Sequence, residues 1–348
     1  MAGKQKTDAG AYEQMKRELA AGTPGRLYLF WGEEAYLRDY YLSQLKKKLI
    51  PQGLEEFNLH TFSGKETDVR KLSQAVDCLP MMSERTMVIV TDFDIYGTAE
   101  TRDALAALFA DLPGYCCLVF VYDVLEYKPD ARTKLASAVK SNGLAVKFVR
   151  QDQDDLVDWI FRRFRALGHD IDTKDAQYLI FLCGDLMNGL ASEIGKIGTY
   201  SKDRRVTRGD IDAVAIPVLD AVVFQMTDAM ARGDFDKAAS VMGDLLHMQE
   251  PPIKLLSVIG RQMRQLYSAR LALEQKKGTA YLMELWGMKS SYPAEKLMEA
   301  ARRFSLPWCR SAVIRCAQTD LAMKSVTGAD AESLLVSLLL ELANQKRK

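Results

Sequence analysis

The chain has 348 residues, 48% of them apolar and 27% charged, with a formal net charge of +1. That length exceeds one ordinary core and points to two or three domains. The near-neutral balance excludes a global field that would draw the chain to nucleic acid or membrane, so any such contact must come from a local patch.

No run approaches the roughly 20 apolar residues that span a bilayer. The start, Met1-Ala2-Gly3-Lys4-Gln5-Lys6, lacks the apolar core of a signal peptide. A cytoplasmic protein is expected. Cys78, Cys116, Cys117, Cys183, Cys309 and Cys316 include no C-x-x-C pair, and His60, His169 and His247 lie far apart. Neither a disulfide framework nor a metal site is implied.

In chain order, Tyr12, Met15 and Leu19 repeat at helical spacing, and Gly22 and Pro24-Gly25 close that helix. Arg26 to Trp31 is a near-continuous apolar run, as expected of a strand buried on both faces. A helix is expected over 34–49, a weaker strand over 58–62, and a helix over 68–76 with Thr67 as its cap. Strands are expected at 87–90, 116–121 and 145–149, separated by helices at 101–109 and 132–140. Strands alternating with helices imply a parallel sheet covered on both faces. This α/β domain is expected to occupy 1–150.

Beyond it the pattern is helical, and no further strand is expected. Leu156, Ile160, Phe164 and Leu167 form one stripe, with Gly168 as the C-cap. Helices over 176–183 and 185–199, and a short one opened by Thr207, complete a small helical domain over 151–216. Residues 217–348 read as an all-helical domain. Its long helix spans 253–276, its closing helices span 308–323 and 332–343, and Trp286, Pro293 and Pro307 mark breaks. The stretch Ser333 to Leu342 is apolar over more than one face, which implies burial inside the domain or against a neighbouring subunit.

The most informative stretch is Leu79-Pro80-Met81-Met82-Ser83-Glu84-Arg85. Pro80 fixes its own φ and pushes Leu79 toward an extended conformation, so the preceding helix must stop. Two readings compete. Leu79, Met81 and Met82 either fill gaps in a core loop or form an exposed apolar wedge, a use that suits the long, polarizable methionine side chain.

The turn after the first strand is where a phosphate-binding loop would lie. Laid on G-x-x-x-x-G-K-S/T from Gly32, the second glycine slot holds Leu37, the lysine slot Arg38 and the hydroxyl slot Asp39. Glu33 and Glu34 sit where they would repel a phosphate. Nucleotide hydrolysis is therefore not expected. Asp92 could hold magnesium by its place after the third strand, but Asp92 and Asp94 read as loop or cap residues. No nucleophile, metal cluster or paired carboxylate appears, so no active site and no cofactor are expected. On the long helix, Lys254, Arg261 and Arg264 fall on one face. They form either a solvated flank or a strip that contacts phosphates.

Four stretches together carry a resemblance: Leu27 to Leu37 with its Gly32-Glu33, Leu79 to Arg85 before an apolar strand, Asp185 to Lys196, and Pro252 to Arg264. In this order they resemble the delta subunit family of bacterial DNA polymerase III, over essentially the whole chain. The resemblance implies an AAA+-like α/β domain with a degenerate P-loop, a helical lid and a helical collar. It implies a clamp-loader subunit that binds and opens the ring-shaped sliding clamp for loading onto primed DNA. Leu79, Met81 and Met82 take the clamp-binding positions, with methionine at 82 where the family often has an aromatic residue. The implied partners are the sliding clamp, other clamp-loader subunits and primed DNA, with no membrane. The subunit would serve a nucleotidyltransferase holoenzyme without a catalytic site of its own; neighbouring subunits supply the ATP sites and arginine fingers, and no Ser-Arg-Cys finger motif occurs here. The alternatives are an AAA+-type ATPase with a divergent phosphate loop and a nucleic-acid-binding adaptor.

Overall fold

The computed structural model describes residues 3–247, 250–288, 290–325 and 330–344. The chain divides into two compact units, Met1–Arg150 and Gln151–Lys348.

The first unit runs α1 (Gly3–Ala21), β1 (Leu27–Trp31), α2 (Ala35–Leu49), α3 (Glu55–Asn58), β2 (Leu59–Ser63), α4 (Val69–Val76), β3 (Thr86–Thr91), α5 (Ala99–Ala110), β4 (Cys116–Val121), α6 (Lys134–Asn142) and β5 (Leu144–Lys147). Its strands form one sheet in the order β2-β3-β4-β1-β5, and every neighbouring pair is parallel. The strands that read as unbroken apolar runs are those buried on both faces. Leu27, Leu29, Val88, Val90, Leu118 and Phe120 pack on the side of Leu72, Leu105, Phe109 and Leu135. Tyr28, Phe30, Met87, Ile89, Val119 and Val146 pack on the other side with Met15, Leu45 and Leu49. Adjacent Cys116 and Cys117 split between the two faces as strand alternation requires.

Three local readings change. The cap of α4 is Asp68, whose side chain accepts the Lys71 N–H at 2.9 Å, while the Thr67 hydroxyl is buried without a partner. Asp is a strong cap, and its neighbour differs only in lying one residue too early. The single turn α3 precedes β2 and is too short to leave a periodic signature. In the second unit the strands do not stop: β6 and β7, two residues each, form a small parallel pair.

That second unit continues with α7 (Gln153–Ala166), β6 (Asp170–Ile171), α8 (Thr173–Cys183), α9 (Met187–Tyr200), β7 (Arg205–Val206) and α10 (Arg208–Val214). Thr207 and Asp210 form a reciprocal capping box at the start of α10. Then come α11 (Leu219–Arg232), α12 (Phe235–His247), α13 (Pro252–Glu274), α14 (Thr279–Trp286), α15 (Ser291–Ala301), α16 (Leu306–Ser325) and α17 (Ala331–Asn344). Trp286 ends α14, and Pro293 and Pro307 lie in the first turns of α15 and α16, where a missing N–H costs nothing, so the prolines mark helix starts just after the expected breaks. One core joins α11 to α17 through residues such as Val223, Ile259, Met263, Leu297, Cys309 and Leu339. Leu335, Leu338, Leu339 and Leu342 of α17 are buried in it, while Leu340 is exposed. Much of the apolar excess in α17 is thus internal packing. No single helix among the described residues is long and apolar enough to cross a membrane.

Candidate functional site

The loop between α4 and β3 begins where Asp77 caps α4 with its N–H on the Ser73 carbonyl. Pro80 comes soon after, so the chain leaves the helix in an extended course. Leu79 is 72% exposed, Met81 54% and Met82 87%. They do not fill the core. A core-loop account would require them buried, as Val76 and Met87 on either side are.

The backbone of this loop is nevertheless anchored at two points. At its centre the Asn58 carboxamide accepts the Met81 N–H at 2.8 Å and donates to the Met81 carbonyl at 2.9 Å. At its end the Arg85 guanidinium donates to the carbonyls of Pro24 (2.7 Å), Gly25 (3.0 Å) and Cys116 (3.4 Å). The Ser83 hydroxyl turns back onto the Arg85 carbonyl at 3.1 Å. Between the anchors Met82 holds φ +54°, a left-handed conformation that long side chains rarely adopt. Asn58 and Arg85 are residues that periodicity does not reveal. A polar residue at the end of an unpredicted turn and an arginine before a strand read as surface, and only the fold brings their partners within reach.

The degenerate phosphate loop is filled by protein. Gly32 has φ +120°, and a Cβ there would lie 2.2 Å from the Phe148 carbonyl oxygen. Glu33 pairs with Arg150 at 2.7 Å. Leu37 packs into the core on the α1–α2 side. Arg38, only 4% exposed, turns inward and donates to the Tyr122 carbonyl at 2.8 Å and the Asp123 carboxylate at 2.5 Å. Its Nε lies 3.6 Å from Asp39. Asp92, at φ +55°, accepts the N–H groups of Asp123 (2.9 Å), Val124 (3.0 Å) and Leu125 (2.9 Å) on one oxygen. Burial raises its pKa, but those three N–H donors and the nearby Arg38 outweigh it and hold the carboxyl below its usual value. The residues in the lysine and magnesium slots thus secure the loop after β4. Among the described residues no cluster of His, Cys, Asp or Glu could hold a metal ion.

On α13, Lys254, Arg261 and Arg264 are all exposed. Lys254 pairs with Glu250 at 2.7 Å, and Arg261 pairs with Asp220. The strip therefore carries less free positive charge than its sequence suggests.

Known proteins share this arrangement of elements. The family model "DNA polymerase III, delta subunit" matches residues 28–149, and "DNA polymerase III delta subunit, C-terminal domain" matches residues 220–342. The DNA polymerase III subunit delta of Bacillus subtilis is 24% identical over 339 residues, covering 95% of this chain and 97% of the relative. A probable DNA polymerase III subunit delta of Aquifex aeolicus is 21% identical over 276 residues, 77% of each chain. The solved structure of a Bacillus subtilis DNA clamp loader delta protein superposes with a TM-score of 0.53 at 22% identity, covering 96% of this chain and 99% of that one.

Proposed function

Because this chain belongs to the DNA polymerase III delta subunit family, we propose that it is the clamp-loader subunit that binds the ring-shaped sliding clamp and opens it for loading onto primed DNA. The observation that carries the reading is the exposed triad Leu79, Met81 and Met82 on a loop whose backbone is pinned at its centre and its end. Exposed apolar side chains cost solubility unless a partner covers them. A stiff loop loses little conformational entropy when it docks. Docking then selects a ring state with altered interface geometry, and the difference in affinity between closed and open rings limits the shift.

In this reading residues 1–150 carry the clamp-binding wedge, 151–216 act as the lid, and 217–348 assemble with neighbouring clamp-loader subunits in a collar. Exposed Ile314, Leu321 and Leu340 supply apolar surface for that assembly. Primed DNA is met within the assembled complex, where Lys254, Arg261 and Arg264 face its backbone. The subunit works in the cytoplasm, has no catalytic site of its own and serves a nucleotidyltransferase holoenzyme. The inward-turned Arg38 and the Glu33–Arg150 pair weigh against an ATPase. The ion pairs of Lys254 with Glu250 and of Arg261 with Asp220 weigh against a free-standing nucleic-acid adaptor.

The test is retention of the cognate sliding clamp by the purified full-length chain. Retention without ATP is the expected result. Failure to retain it, with tight salt-sensitive duplex binding instead, would move the reading to the adaptor.

A further inference from the structure

We propose that Asn58 is the positioning residue of the docking loop, holding Met81 and Met82 in the conformation that enters the partner's pocket; this rests on the wedge reading above. Asn58 is 0% exposed at the end of α3. Its amide nitrogen donates to the Leu54 carbonyl at 3.1 Å as well as to Met81. Its oxygen accepts from the Met81 N–H.

The side chain therefore reproduces, toward a single residue, the paired N–H and C=O bonds that two antiparallel strands exchange. No other side chain does this as well in the same space. Aspartate accepts but has no donor when ionised, leucine has neither, and glutamine is a methylene longer. The cost of burying an amide would be avoided by a leucine of similar size. Core packing alone gives no reason for asparagine, whereas restraint of an exposed loop does.

The restraint matters because of the strain at the next residue. Met82 sits at φ +54° directly after the pinned Met81, and 87% of its surface is open to solvent. No packing of its own side chain holds it in that unfavourable region. The hold on Met81 and the Arg85 anchor beyond it leave only Met82, Ser83 and Glu84 between two fixed points. A loop released at Met81 would let Met82 relax, and the ordering cost would return on docking.

The experiment uses the full chain with Asn58→Leu and Asn58→Asp, the cognate sliding clamp as the probe, and hydrogen exchange of the peptide spanning 79–84. Asn58→Leu is expected to raise exchange at Met81 and weaken clamp binding about tenfold. Asn58→Asp keeps the acceptor for the Met81 N–H and should fall between Asn58→Leu and the unaltered chain. It also reports if Asn58→Leu does not fold. In a Met81→Ala, Met82→Ala background the effect of either change on affinity should shrink to less than about twofold, since there is little left to position. Unchanged affinity in folded Asn58→Leu or Asn58→Asp overturns the proposal, as does an equal loss in the truncated background. If the Met81→Ala, Met82→Ala chain itself binds like the unaltered one, the wedge reading has failed and this proposal with it. Raised exchange at Met81 would then still record the hold on the loop, so the two failures are told apart.

Discussion

Arg38→Ala distinguishes a structural arginine from a phosphate ligand. The guanidinium is almost fully buried and donates to the Tyr122 carbonyl and the Asp123 carboxylate. A buried hydrogen bond from a charged donor contributes about 1.5–3 kcal/mol. Asp123 is itself more than half exposed, so its pairing adds at most about 1 kcal/mol. The total loss is about 3 kcal/mol, including some packing of the arginine stem. At about 2–4 °C per kcal/mol for a unit of this size, the first unit should melt about 6–12 °C lower. Calorimetry of the full chain reads that shift, and a fluorescent ATP analogue at micromolar concentration reads binding. Unchanged melting, together with ATP binding by the unaltered chain that Arg38→Ala abolishes, would refute the reasoning. Those are the signs of an arginine that waits for a phosphate.

The same geometry gives two further outcomes. Asp92 has a carboxyl held below its usual pKa, so its contribution to stability is present above the unfolded value, about 3.9, and fades as pH falls through the folded one. Asp92→Asn should therefore lower stability near pH 7 and flatten the acid side of the stability–pH curve; an unchanged acid limb in denaturant titrations would contradict the N–H cradle. In the second unit, Ile314→Ser with Leu321→Ser should leave melting within about 0.5 kcal/mol of the unaltered chain, because both side chains are exposed. The same pair should weaken assembly with the other clamp-loader subunits in size-exclusion chromatography, and an intact complex would remove those residues from the interface.

The parallel α/β unit was legible because its central strands are buried on both faces. Runs such as Leu27-Tyr28-Leu29-Phe30 and Cys116 to Val121 cannot serve a half-solvated sheet. The boundary at Arg150 coincided with the loss of that pattern. Strand order was not legible, since nothing in β1 states that it lies between β4 and β5. The two-residue strands β6 and β7 and the turn α3 were missed because they are shorter than any period.

At the candidate site, Pro80 signalled the loop, but apolar composition alone left its side chains consistent with a core as well as with a wedge. Their exposure speaks against core filling, and clamp binding by the triple variant below tests the wedge. The anchors Asn58 and Arg85 depended on contacts 23 and 61 residues distant in sequence. The phosphate-loop substitutions showed what was missing at Gly32, Leu37, Arg38 and Asp39. They did not show that Arg38 turns inward to hold the loop after β4.

The central claim is tested most directly by Leu79→Ser, Met81→Ser, Met82→Ser, measured for both melting temperature and affinity for the sliding clamp. These side chains are exposed, so stability should change by less than about 1 kcal/mol. A single anchor truncated from a pocket can cost about 2 kcal/mol or more, roughly thirtyfold in affinity. Three together should abolish detectable binding. A core loop would behave in the opposite way, since truncating a buried leucine or methionine costs about 2–5 kcal/mol of stability. A triple variant that melts much lower, yet binds the clamp normally where still folded, would contradict the account.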